Sequence, residues 1–373
     1  MAGTIVVSAV NLNIGGTLRI LKDCLAHLSD FSKRTGYRVV AIVYDKNLAD
    51  FPGIEYIETR WPKKWWLNRI WYEYVSLKRV SQDIGPVELW LSLHDTTPNV
   101  YAKRRAVYCH NPFPFYSWKW QELFHAPKIV LFALFSKCIY RYNIHKNKYV
   151  IVQQQWIKER FEELFRLPGD QIVVALPDRP EKGPVPQEKQ SEDPCTYFIY
   201  PASANSHKNF ECLCRATSLL NTFGVKDFKV YLTIDGGENA YASWLKRTWG
   251  HICALEFIGF QDRDTLMEYY RQADCLVFPS KLETWGLPIS EFSGTGKPML
   301  LADLPYAYET ASGSEQVAFF DPDQPQVLAQ QMDGIIQRDR QFLRKVGNRE
   351  IPSPKSDSWE ALFDILLNES SVS

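Results

Sequence analysis

The sequence predicts an α/β protein. Two parallel-sheet units are expected to face one another across a cleft. Three observations lead there. Short apolar, β-branched runs alternate with stretches of helical period along most of the chain. The alternation breaks at a proline-rich segment near residue 185 and then restarts. The length, 373 residues, suits two domains of roughly 150 residues each.

Thr4–Val10 reads as the first strand, and Asn11–Gly16 punctuates it. A helix is expected from Thr17, which would cap it, with Leu18, Leu21, Leu25 and Leu28 on one face. Strands follow at Val39–Tyr44, Leu89–Leu93 and Ala106–Cys109. Residues 176–194 read LPDRPEKGPVPQEKQSEDP, whose five prolines and many charges mark a linker. Beyond it, strands at Tyr197–Tyr200, Lys229–Ile234, Leu255–Ile258, Cys275–Phe278 and Met299–Ala302 alternate with helices at Asn209–Phe223 and Asp264–Ala273. Trp359–Leu367 is an amphipathic helix after the breaker Ile351–Pro354. The expected domains are 1–180 and 195–350, joined by a linker at 181–194, with 351–373 crossing back.

Composition narrows the function classes. Hydrophobic residues make up 45% and charged residues 23%, which excludes a disordered chain. Net charge is zero, but residues 1–176 carry 24 Lys+Arg against 15 Asp+Glu. The first half is therefore basic, and it holds eight of the 12 tryptophans within residues 1–156. The neutral balance and the lack of a recognisable module argue against nucleic-acid binding. None of the eight cysteines forms a C-x-x-C pair, and the close pair Cys212 and Cys214 sits in a helical pattern, so no metal site is expected. The start, MAGTIVVSAV, reads as a strand rather than a signal peptide, and no run reaches transmembrane length. A cytoplasmic protein is expected.

In open α/β sheets, ligands bind beyond the carboxyl ends of the strands. The stretch with most chemistry there is SKLETWGLPISEF, Ser280–Phe292. Glu283 and Glu291 flank a Gly-Leu-Pro turn with seven residues between them. The next helix is expected to begin at Pro288, with Leu287 as a cap that offers no side-chain acceptor. Its first N–H groups would then suit a phosphate, Gly286 would let a ligand approach, and Glu291 would lie in the first turn. A lone surface glutamate is ordinarily just solvated. Two of them around this turn, after a buried strand, point to a polar ligand.

Glu-x7-Glu around Gly-Leu-Pro resembles the signature of retaining glycosyltransferases of the GT-B fold, glycosyltransferase family 4. The resemblance implies two Rossmann-like domains and a nucleotide diphosphate sugar donor. It implies that Glu291 holds the ribose, that Glu283 contacts the donor sugar, and that Thr284, Trp285, Gly286 and Leu287 lie at the sugar–phosphate junction. Lys208 matches the family's phosphate-neutralising lysine, beside Ser203. The accompanying arginine has no counterpart among residues 203–206, which leaves His207, or a basic residue elsewhere, to supply the second positive charge. Asp235 and Gly236 resemble the loop bordering the nucleotide, and Gly259 with Phe260 the base-contact loop. Gly15 and Gly16 resemble the glycine loop that approaches the donor phosphate, and His110 the histidine beside the donor sugar. His94, Asp95 and Asn111 are the expected acceptor-side residues. No metal or other cofactor is implied.

Residues 60–79, RWPKKWWLNRIWYEYVSLKR, hold six basic residues, one acidic residue and four tryptophans. Residues 113–149 are also aromatic and basic. Such surfaces suit a membrane interface, and a lipid-linked saccharide acceptor in bacterial surface polysaccharide assembly would fit, with the protein on the inner face of the cell membrane. The other reading is a helix that buries these aromatics against the sheet. Two rival functions stand beside transfer. One is a non-catalytic sugar- or lipid-glycan-binding protein on a degenerate version of the fold. The other is a further enzyme of this fold, such as an epimerase or phosphorylase, which the Glu-x7-Glu loop and the missing pyridoxal-phosphate lysine motif disfavour.

Overall fold

The computed structural model describes residues 3–13, 15–116, 127–177 and 194–368. The expected linker (but for Pro194) and residues 117–126 of the aromatic–basic stretch lie outside the described residues. The chain divides into two compact units. Unit 1 comprises Met1–Phe115, Ala133–Asp178 and Ile351–Ser373, and unit 2 comprises Tyr116–Phe132 and Arg179–Glu350. Tyr116, expected in the first domain, groups with unit 2, where its ring lies 6.5 Å from that of His207.

Along the first half run β1 (Thr4–Ser8), α1 (Gly15–Thr35), β2 (Arg38–Val43), β3 (Ile54–Glu58) and α2 (Trp66–Trp71). A π turn, Tyr72–Ser76, joins α2 to α3 (Leu77–Ile84). Then come β4 (Leu89–Ser92), β5 (Arg104–Tyr108), α4 (Pro127–Arg141), β6 (Tyr149–Val152), α5 (Gln155–Phe165) and β7 (Ile172–Ala175). The second half continues with β8 (Thr196–Tyr200), α6 (Phe210–Thr222), β9 (Phe228–Leu232), α7 (Ala240–Trp249), β10 (Leu255–Phe257), α8 (Arg263–Gln272) and β11 (Cys275–Phe278). It ends with α9 (Leu287–Ser293), β12 (Met299–Ala302), α10 (Pro305–Thr310), β13 (Val317–Phe320), α11 (Pro325–Ile336), β14 (Lys355–Ser356) and α12 (Trp359–Leu367).

Each unit is built on a parallel sheet. Unit 1 has the order β14-β7-β6-β5-β4-β1-β2-β3, and unit 2 the order β10-β9-β8-β11-β12-β13. Side-chain alternation explains why the central unit 1 strands β1, β2 and β4 are mostly apolar on both faces. Ile5, Val7, Val39, Ala41, Leu89 and Leu91 face one helical layer. Val6, Val40, Ile42 and Trp90 face the other. Both faces are covered, so both sets are buried.

The chain's last helix belongs to unit 1. Pro354 and Ser356 carbonyls accept hydrogen bonds from Val174 and Leu176, which adds β14 to the sheet edge beside β7. α12 then lies against α1, burying Leu362, Phe363 and Leu366. Phe363 stacks on His27, with ring centroids 5.4 Å apart.

The expected strands are present, most of them ending one or two residues early. α1 differs more: it begins at Gly15 rather than Thr17, so Gly15 and Gly16 form its first turn instead of a separate loop. Gly15 takes φ +60, which a side chain would strain. β3 was not legible because it is an edge strand with two glutamates and no fully buried residue. Among the described residues no helix is long and apolar enough to cross a membrane.

Because Phe363 is fully buried in the unit 1 core, Phe363→Ala is expected to destabilise unit 1 by about 3–5 kcal/mol. Denaturant titration against the wild-type chain checks this, and an unchanged midpoint would show that α12 does not contribute to the core.

Candidate functional site

Unit 2 has a point where its strand order reverses, between β8 and β11. Connections on either side of such a point leave in opposite directions and open a crevice at the carboxyl ends of the strands. The loops after β8 and β11 meet there. They carry Lys208 and Glu283, 75 residues apart in sequence, and their side chains form an ion pair at 2.6 Å. Both are mostly withdrawn from solvent, at 16% and 11% side-chain exposure.

The backbone around the pair is tied across the two loops. Asn209 adopts the left-handed conformation and donates through Nδ2 to the carbonyls of Pro279 and Pro322. Lys281 N–H donates to the His207 carbonyl. Tyr200 and Tyr306 hydroxyls donate to the Lys208 and Ser280 carbonyls at 2.6 Å each. Burial pushes both phenols up, so each stays a donor. Apart from the local Tyr200–Lys208 bond, these ties join positions far apart in sequence that only the fold brings together.

The turn after Glu283 departs from expectation in one respect. α9 starts at Leu287, and its cap is Gly286, not Leu287. Gly286 has φ +84, and a Cβ there would lie 3.2 Å from Ile289 Cδ1. Only glycine meets both demands at low cost. The one-residue shift moves Glu291 beyond the first helical turn. There its carboxylate accepts from the Tyr270 hydroxyl at 3.3 Å. Trp285 is buried, and its indole N–H donates to Ser290 Oγ. Thr284 and Leu287 are half-buried.

His207 does not supply the missing positive charge. Burial, reinforced by the Lys208 charge next to it, lowers its pKa to about 3. It is neutral at neutral pH. Ser203 is exposed and accepts from Asn205 Nδ2.

The loop after β9 uses its own donors. Glu238 accepts from the Asp235 and Gly236 N–H groups at 2.7 and 2.9 Å, and Asp235 Oδ1 accepts from Gly237 N–H at 2.6 Å. The sequence singled out Asp235 and Gly236 but missed the capping role of Glu238, three residues from Asp235. Gly259 approaches Asp235 closely: a Cβ on it would be 3.5 Å from Asp235 Cβ. Phe260 beside it is 88% exposed.

The corresponding reversal in unit 1 lies between β1 and β4. Gly15 and Gly16 follow β1; His94 and Asp95 follow β4; His110 and Asn111 follow β5. His94 does not face outward as an acceptor-side residue. It is buried, and its Nδ1 accepts from Arg69 at 3.0 Å, with Thr96 and Ser92 hydroxyls at 3.1 and 3.4 Å. Burial and the Arg69 charge hold its pKa well below 6.5. Asp95 takes φ +69 and accepts from the His110 and Asn111 N–H groups at 2.6 and 3.1 Å, which sets the turn after β5. Asn111 in turn accepts from Phe113 N–H. His110 Nε2 donates to the Leu93 carbonyl at 2.7 Å, since a carbonyl only accepts. Burial lowers its pKa, so the imidazole is neutral, and Nδ1 is left without a partner among the described residues. Within unit 1, the Asp95 and His110 side chains thus bond to backbone groups, and the His94 ring to the Arg69, Thr96 and Ser92 side chains. Among the described residues no group of three or more His, Cys, Asp or Glu is arranged to hold a metal ion.

Comparison with known proteins agrees with this architecture. Residues 184–350 match the family described as glycosyl transferases group 1. The O-antigen chain mannosyltransferase RfbU of Salmonella typhimurium is 21% identical over 298 residues, 79% of this chain and 75% of that protein. Sucrose-phosphate synthase from Thermosynechococcus elongatus superposes with a TM-score of 0.67 at 13% identity, covering 98% of this chain and 95% of that one. WaaG, a glycosyltransferase involved in lipopolysaccharide biosynthesis, gives 0.65 at 12% identity, covering 98% and 100%. The fold is that of GT-B proteins, and the family match over residues 184–350 supports a glycosyltransferase.

Two outcomes are expected at this site. Lys208→Met leaves the Glu283 carboxylate desolvated without its cation and should cost about 3 kcal/mol. The double variant Lys208→Met/Glu283→Gln should lose less, and chemical denaturation of both compares them. His207 has a folded pKa of about 3 against an ordinary 6.5. The unfolded chain therefore takes up the proton first, and stability falls as pH drops from 6.5 toward 3, by at most about 1.4 kcal/mol per pH unit. His207→Gln should flatten that slope; an unchanged slope would show that His207 titrates normally.

Proposed function

We propose that the protein is a retaining glycosyltransferase of family 4. It moves a hexose-type sugar from a nucleotide diphosphate sugar to a saccharide acceptor, lipid-linked, in bacterial surface polysaccharide synthesis on the cytoplasmic side of the membrane. The observation that carries this reading is the Lys208–Glu283 pair at the strand-order reversal of unit 2, with Glu291 on the helix that follows. The family match over residues 184–350 and the polysaccharide-building relatives support it.

In the proposed reaction the bond between the sugar's anomeric carbon and the donor phosphate oxygen breaks. The acceptor hydroxyl oxygen bonds to that carbon on the same face, and its proton passes to the departing phosphate. Negative charge grows on the diphosphate. Lys208, drawn from Glu283 to the diphosphate, stabilises it, and that preference for the transition state accelerates the step. Glu283, released from Lys208, accepts hydrogen bonds from sugar hydroxyls. Glu291 accepts from the ribose. The reading requires no metal.

The rival, a non-catalytic glycan-binding protein, draws on two observations: no arginine stands among residues 203–206, and His207 is neutral. Thermal unfolding with UDP, GDP, dTDP, ADP or CMP separates the readings. One nucleotide is expected to stabilise the wild type by about 2.7 kcal/mol at a hundred times its Kd, and Glu291→Ala to lose that gain. If none stabilises at saturating concentration, the donor-site reading fails and the binding protein takes its place.

A further inference from the structure

The tryptophans of residues 60–79 are not buried against the sheet. Trp65, Trp66 and Trp71 are 70%, 69% and 61% exposed, and Leu67, Ile70 and Val75 are exposed with them. α2 and the π turn after it are inverted relative to an ordinary surface helix. Their inward side carries Tyr72 and a buried polar cluster. Arg69 Nε donates to Glu73 Oε1 at 2.9 Å, and its Nη2 reaches His94 Nδ1 and the His94 carbonyl at 3.0 and 3.2 Å. The Glu73 backbone carbonyl accepts from Asn99 N–H. These bonds hold the apolar side outward.

The apolar face continues onto the end of α4. Tyr74 of the π turn meets Tyr142 edge-on, with ring centroids 4.6 Å apart, and Tyr142 is exposed. Leu134 and Phe135, on α4 within unit 1, are exposed as well. Contiguous exposed apolar surface of this kind marks an interaction site.

Charge selects the occupant. Lys64, Lys78, Arg79, Lys137, Arg141 and Lys146, along the same two segments, are exposed. The lone acid of residues 60–79, Glu73, is turned inward, and residues 127–148 contain no Asp or Glu. The exposed residues of both segments are therefore mainly aromatic, aliphatic and cationic, with no exposed carboxylate among them. That combination suits the interface of an anionic phospholipid bilayer, where indole rings sit at headgroup depth and Lys and Arg meet phosphate.

We propose that this face of unit 1, centred on Trp65, Trp66 and Trp71, docks on an anionic phospholipid bilayer. The proposal deepens the membrane part of the reading above, but it rests on unit 1 alone and not on the donor site. A lipid-linked acceptor would then be met at the surface on which it resides.

The test is sedimentation with phosphatidylglycerol–phosphatidylcholine vesicles and with phosphatidylcholine vesicles. Wild type and Trp65→Ser/Trp66→Ser/Trp71→Ser are compared at low and high salt. The wild type is expected to pellet with the anionic vesicles and to be released as salt rises. The triple variant, substituted only at exposed positions, is expected to keep its melting temperature and its nucleotide-induced shift while remaining in the supernatant. Wild type that stays in the supernatant at low salt, or a variant that pellets like wild type, overturns the proposal. So does a wild-type dimer in sedimentation velocity that falls apart in the triple variant without vesicle binding; the face would then join two copies of the chain. Vesicle binding without any nucleotide shift in the wild type would sink the donor-site reading and leave this one standing.

Discussion

The Lys208–Glu283 ion pair depends on one topological fact: β8 and β11 are neighbours although 74 residues separate their ends. Desolvating two charges is costly, and mutual attraction offsets that cost only when the geometry is held. Here it is held by uncharged groups. Asn209 ties the two loops, and the Tyr200 and Tyr306 hydroxyls fix the carbonyls beside the charges. The glycine cap of α9 then sets where the chain leaves this platform.

This arrangement makes the local charge balance sparse. His207 is driven neutral by its surroundings and by Lys208 itself. An anion arriving at Lys208 has to compete with Glu283, so binding and rearrangement of the pair are coupled. The loop after β9 satisfies its own N–H groups through Glu238 and Asp235, and contributes a rigid turn rather than an open anion cradle.

Unit 1 uses its strand ends differently. Asp95 and His110 organise adjoining turns, and His94 is sealed in with Arg69 and Glu73. Burial pushes the Glu73 carboxyl up to about 7 despite the arginine, which shows how far this cluster is removed from water. The same cluster anchors the polar side of α2 inward. The position of His94 and the outward tryptophans are thus two sides of one packing solution.

Local pattern determined a good deal by itself. β11, β12 and α12 lie where apolar runs and the proline breaker place them, because short-range periodicity and turn chemistry act within a few residues. Glu283, Gly286 and Glu291 stood out for the same reason: their meaning is carried by spacing along one strand–turn–helix. What lay beyond reach was everything that depends on which strands become neighbours and which side chains lose water. The partnership of Lys208 with Glu283, the neutrality of His207 and the burial of His94 are of this kind, and the exposure of Trp65, Trp66 and Trp71 chose between two readings that the sequence left open. A charge or an indole reads the same in sequence whether buried or exposed. Only tertiary packing sets the desolvation and the partner that decide its chemistry.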